Sequence, residues 1–179
     1  MSLQAGCLVM TPGKIKRWPC LVLIHILTLP SGVAYAEDAD RQAEVARRGA
    51  EVMPFSLEKT LHQFTKTETG GVQRVVSRDP RDKEQVDLIQ QHLQSLADGF
   101  KRGDYTGPEH IHGADMPGLA QLRQAKPGGL HISYAAEPSG ASLSFRSDDA
   151  LLIKAVHDWF DAQVHDHGRD AMEVHRHHP

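Results

Sequence analysis

The chain has 179 residues, a formal net charge of −3 and 12 histidines, with 40% hydrophobic but only 6% aromatic residues. That length suits one domain with a real core. An acidic chain without a basic stripe excludes nucleic-acid binding of the kind that rests on phosphate neutralisation.

Residues 1–36 read as a secretory signal segment. Lys14, Lys16 and Arg17 form a positive n-region, and CLVLIHILTL (20–29) is apolar but shorter than a membrane span needs. Pro30 and Gly32 break that run, and Ala34-Tyr35-Ala36 supplies the small-x-small pattern that predicts cleavage after Ala36. The mature chain is then 37–179, or 143 residues (179 less 36). Its charge is −6, because the segment removes three cations and no acid from −3. Cys7 and Cys20 leave with the segment, so the mature chain has no disulfide, thiolate ligand or cysteine nucleophile. The expectation is a periplasmic or secreted protein with no integral membrane segment after signal removal, in which eleven of the twelve histidines remain.

Along the mature chain, 37–52 (EDADRQAEVARRGAEV) is charged and Ala-rich and reads as a flexible N-terminal arm or a short loose helix. LHQFTKT (61–67) and VQRVVS (72–77) alternate around Gly70-Gly71, which predicts a β-hairpin with His62 on the face of Phe64. Asp79-Pro80 opens a predicted helix whose apolar stripe is Val86, Ile89, Leu93, Leu96, Ala97 and Phe100, with His92 beside the stripe and Gly103 at its end. A polar loop, GPEHIHGADMPGL (107–119), leads into a short helix at 117–125 that Pro127-Gly128-Gly129 stops. LHISYAA (130–136) and ASLSFRS (141–147) predict a second hairpin. A last helix over 149–165 carries Leu152, Val156, Trp159, Phe160 and Val164 inward. The expected fold class is α+β: two β-hairpins forming one antiparallel sheet with helices packed on one face, in the order β-β-α-β-β-α. The single domain is expected over 53–169, followed by a mobile His-rich tail at 170–179.

The chemistry with the most support in these residues is metal ligation by imidazole. Without thiolates, histidine with carboxylate or thioether partners can hold copper, zinc or nickel. His110 and His112 form an H-x-H pair, and Asp115 and Met116 follow at once. His92 precedes this loop on a helix, and His62 sits on the first hairpin. His157, Asp161 and His165 are spaced i, i+4, i+8 on the last helix, and Asp166-His167-Gly168 lies at its end, where a cationic imidazole would complement the helix dipole. The metal-ligand candidates are therefore His62, His92, His110, His112, Met116, His157 and His167. His175, His177 and His178 form a separate cluster in the tail. No serine stands in a G-x-S-x-G context and no phosphate loop or C-x-x-C-H haem motif occurs, so no catalytic or organic-cofactor residue is nominated.

The segments MPFSLEKTLHQF (53–64), GGVQRVV (70–76), QQHL (90–93), IHGADMPGL (111–119), VHDWFDAQ (156–163) and DHG (166–168) resemble a family of small, uncharacterised exported bacterial proteins. Members of that family sometimes carry the name aspartate carbamoyltransferase. This chain lacks the Ser-Thr-Arg-Thr phosphate loop of that enzyme. The resemblance implies that the recurrent histidines are His62, His92, His112, His157 and His167. The expected role is binding of a divalent transition metal for storage, delivery or tolerance. A hydrolase or transferase of unknown substrate, and a metal-free binding module, remain as alternatives.

Overall fold

The computed structural model describes residues 32–175, with side chains from residue 36 onward. Residues 1–31, which hold most of the predicted signal segment, lie outside the described residues, as do His177 and His178. The chain forms helix α1 (Gly32–Val52), strands β1 (Thr60–Thr67) and β2 (Gly70–Ser77), and helices α2 (Lys83–Lys101), α3 (Thr106–His112) and α4 (Leu119–Arg123). Strands β3 (His131–Glu137) and β4 (Gly140–Arg146), helix α5 (Ala150–His167) and strand β5 (Ala171–Glu173) complete it. One five-stranded sheet results, in the order β3-β4-β2-β1-β5. The class is α+β. No described helix is long and apolar enough to cross a membrane.

Period-two alternation decides which sheet face is covered. Thr60, His62 and Phe64 of β1, Gln73 and Val75 of β2, and Ala141, Leu143 and Phe145 of β4 are buried, while their neighbours in sequence are more exposed. Cross-strand register stacks these sets, with His62 opposite Val75 and Gln73 opposite Leu143. The stripe of α2 (Ile89, Leu93, Ala97, Phe100) and that of α5 (Val156, Trp159, Phe160) close over this face in a single core. Phe100, Phe145 and Trp159 meet edge-on or tilted at centroid distances of 5.4–6.0 Å.

The element order is longer than β-β-α-β-β-α, and each addition has a local cause. The segment expected as a flexible arm or a short loose helix is helix α1, 21 residues long, which runs through the position predicted for cleavage. Arg47 and Arg48 pair with Glu44 and Glu51 at helical spacing along it. Val45, only 1% exposed, docks it onto the core. In the tail, β5 pairs in parallel with β1, placing Met172 beside Gln63, so the sheet is mixed rather than wholly antiparallel. The open edge of β1 offers unpaired N–H and C=O groups, and the chain leaving α5 satisfies them. The helix predicted to open at Asp79-Pro80 begins instead at Lys83, capped by Asp82, whose carboxylate accepts from the Gln85 amide. Asp79 accepts from the Arg81 amide and spends its side chain on the preceding turn.

Helix α4 reaches α5 through Gly118, whose φ is +77°. A Cβ there would run into the Ala155 carbonyl oxygen and lie 3.0 Å from the Trp159 amide nitrogen. Gly118→Ala is expected to cost about 2 kcal/mol or more, from left-handed strain plus displacement of two packed helices. Urea denaturation checks this, and a midpoint equal to wild type would show that the helices separate freely.

Candidate functional site

Four histidines arrive at one pocket from four separate elements. His62 comes from β1, His92 from α2, His112 from the last turn of α3 and His167 from the end of α5; all four line a cavity of about 40 Å³. His62 faces inward because it alternates with Thr60 and Phe64. His92 lies three residues from Ile89 and four from Leu96, at the margin of the buried stripe of α2. His167 follows Gln163 by one helical turn, and both line the cavity.

The rings touch. His62 and His167 stack in parallel, with centroids 4.9 Å apart and an interplanar angle of 5°. His112 stands edge-on to His167 at 5.0 Å. Phe55 lies between His62, at 6.1 Å, and His92, at 5.6 Å. The rest of the wall is largely apolar, with Leu93, Phe100, Ile111 and Trp159 among it, and no Asp, Glu, Lys or Arg among the described residues contributes to it. Burial pushes His62 down to about 4, and the neighbouring imidazoles push the same way while the Asp170 backbone partly opposes them. Burial likewise drives His167 well below the ordinary histidine range and lowers His92. These three rings are therefore neutral at neutral pH, with a lone pair free for a ligand.

His112 is held from behind. Its Nδ1 lies 2.8 Å from Asp166 Oδ2, inside the protein. Arg41 of α1 grips the same carboxylate with Nε at 3.0 Å and Nη2 at 2.6 Å, and Nη2 also donates to the His112 carbonyl at 2.6 Å. Burial alone would raise the Asp166 carboxyl, but the hydrogen bonds from His112 and Arg41 outweigh it and hold the group well below the usual carboxylate range. An ionised carboxylate only accepts, so the proton sits on His112 Nδ1 and Nε2 is the nitrogen left for chemistry. A carboxylate that fixes an imidazole tautomer in this way is the usual support behind a metal-bound histidine.

Three buried polar atoms of lining residues have no partner among the described residues: His62 Nδ1, Gln73 Oε1 and Trp159 Nε1. Each buried orphan costs about 1–3 kcal/mol; His62 Nδ1 and Gln73 Oε1 offer lone pairs to an occupant, whereas Trp159 Nε1 only donates. The cavity has room for a few atoms, since one water needs about 10–15 Å³. As the side chains are placed, no three His, Cys, Asp or Glu among the described residues are positioned to share an ion. For the pair His62 and His167 the stack is one obstacle. Imidazole lone pairs lie in the ring plane, and two parallel planes cannot both contain one ion.

The other sequence candidates lie elsewhere. His110 and His112 belong to helix α3 rather than a loop, and two residues of helix turn through about 200°. His112 is thus buried while His110 is exposed, its Nε2 2.9 Å from Glu51. Met116 is buried in the core and does not line the cavity. His157 pins the first hairpin, its Nε2 lying 3.0 Å from the Thr67 carbonyl and 2.8 Å from that of Gly70. Asp161 pairs with Lys66, and His165 lies 3.2 Å from Asp38, so the i, i+4, i+8 set on α5 does not converge. His167 is not a cation at the helix end, because burial keeps it neutral.

Sequence reasoning missed Arg41, Met53, Gln73 and Gln163. Gln73 and Gln163 had a signal, since one alternates with Val75 and the other precedes His167 by a helical turn. Arg41 had none, being one cation in a charged run. No family model, curated protein or solved structure matches the chain.

Proposed function

We propose that this protein binds a transition-metal ion outside the cytoplasm through His62, His112 and His167, with His92 alongside, in storage, delivery or tolerance of the metal. The observation that carries this reading is the convergence of four imidazoles, three of them held neutral by burial, on one cavity that also holds the orphaned His62 Nδ1. Four of the five histidines that the family resemblance singles out are these four. Ligation requires the His62–His167 stack to open, and the imidazole χ2 is a broad torsion that permits this.

The test uses the untagged full chain with His175, His177 and His178 replaced by alanine, so that the tail does not contribute. Copper, zinc and nickel are titrated by calorimetry and native mass spectrometry. One ion per chain is expected, with a stability gain of about 2.7 kcal/mol at free metal near 100 Kd. His62→Leu and His167→Leu should each weaken binding by about 100-fold or more, since loss of a supporting group alone costs about 10- to 100-fold. No bound metal and no thermal shift with any of the three ions would end the reading.

A second reading draws on the buried Asp166–His112 pair. Beside an apolar pocket, such a pair has the form of a general base and its orienting carboxylate. Among the described residues no Ser, Thr, Cys, Lys or Tyr lines the cavity, so water would be the nucleophile. Turnover of ester, phosphoester or amide substrates that survives a chelator and is lost in His112→Asn would favour hydrolysis over metal handling.

A further inference from the structure

We infer that the ion this site selects is monovalent copper, and that Met53, a residue outside the histidine set, supplies a thioether to it. The inference rests on the metal reading above and specifies the metal and one ligand. Met53 follows directly on α1, is held there by its amide bonding to the Gly49 carbonyl at 2.8 Å, and lines the same cavity as the four histidines.

Charge is the first argument. Among the described residues, no formally charged side chain lines the cavity. The one carboxylate behind it, Asp166, is already matched by the two-point grip of Arg41. An ion entering this cavity keeps nearly all of its own charge. The cost of placing an ion in a low-dielectric interior scales with the square of that charge, so it is roughly four times larger for a dication than for a monocation of equal size. Zinc and nickel sites commonly offset this with thiolate or carboxylate ligands, and this cavity has neither.

Donor chemistry is the second argument. Neutral imidazole and thioether are ligands that monovalent copper accepts, and thioether in particular selects it over zinc and nickel. The apolar wall formed by Leu93, Phe100 and Ile111 limits water at the site and favours an ion content with few ligands.

The test titrates the full chain, with the three tail histidines replaced by alanine, anaerobically with Cu(I) against a chromophoric Cu(I) chelator, and in parallel with Zn(II). One Cu(I) per chain is expected, bound more tightly than Zn(II), with a sulfur neighbour in its X-ray absorption spectrum. Met53→Leu conserves volume. It should weaken Cu(I) by about tenfold or more while leaving Zn(II) within about twofold, and it should remove the sulfur signal. Tighter Zn(II) than Cu(I), or Cu(I) affinity unchanged by Met53→Leu, overturns the inference and leaves the metal reading standing. Failure to bind either ion overturns the inference, and the metal reading falls with it only when Cu(II) and Ni(II) also fail to bind. The wild-type absorption spectrum needs no variant, and a Cu(I) sphere without sulfur is by itself enough to reject the role of Met53.

Discussion

Acidifying the metal-free protein from pH 6.5 to pH 4 is expected to remove on the order of 3 kcal/mol of stability through His62 alone. The ring titrates near 6.5 when exposed and is pushed down to about 4 by burial in the folded chain. A base whose folded pKa is lowered contributes fully above the unfolded value. That contribution fades as pH falls below 6.5 and is gone once pH drops below about 4, because the unfolded chain takes up the proton first. His167, lowered well below the same starting value, acts in the same direction and extends the loss to lower pH. Urea midpoints at pH 7, 5.5 and 4.5 measure the slope. His62→Phe keeps a ring against His167 but cannot titrate, and should flatten the curve. An unchanged midpoint across that range in the wild type would show that the rings are open to water and would weaken the whole account of the pocket.

Asp166→Ala is expected to cost about 3 kcal/mol, the lower end for breaking a buried charge pair. The lower end applies because the Arg41 side chain is 39% exposed and regains water, whereas His112 is buried and does not. The effect should also be local. Arg41 holds α1 to Asp166 and to the His112 carbonyl, so amide exchange over 37–52 should quicken more than exchange in β2 or β4. Asp166→Asn preserves shape and one acceptor and should cost less. The pH signature separates this residue from the histidines. A carboxyl whose folded pKa is depressed stabilises above its unfolded value, near 4, and loses that contribution as pH falls further. The wild type should therefore lose additional stability below about pH 4, and Asp166→Asn, which keeps only the share from His167 there, should lose less. Equal stability of Asp166→Ala and wild type at pH 7 would show that the clamp on His112 carries little energy.

The two hairpins and the long helices were legible because their signals are local. Alternation at two residues places His62, Phe64, Gln73 and Val75 on one face wherever the sheet forms. The stripes of α2 and α5 likewise choose their own inward sides. Elsewhere local signals misled. The polar composition of 107–119 suggested a loop in which His110 and His112 share a site. Helix α3 sends them to opposite sides, because helical and extended backbones give an i, i+2 pair opposite geometry. The charged run at 37–52 gives no sign of docking because its attachment lies in two contacts, Val45 with the core and Arg41 with Asp166, and neither leaves a periodic trace.

The sequence by itself determined that His62 shares the inward face of Phe64, that His92 borders the buried stripe of α2, and that the class is α+β. Tertiary structure alone decided that His62, His92, His112 and His167 share a cavity, that Met53 rather than Met116 lines it, and that Arg41 and Asp166 support it. The physical reason is separation along the chain: His112 and Asp166 are 54 residues apart, and Arg41 and Asp166 are 125 apart. Periodicity reports the side of an element that meets the core. Which inward-facing groups meet each other is set by strand order and helix docking, and those depend on the summed packing of the entire domain.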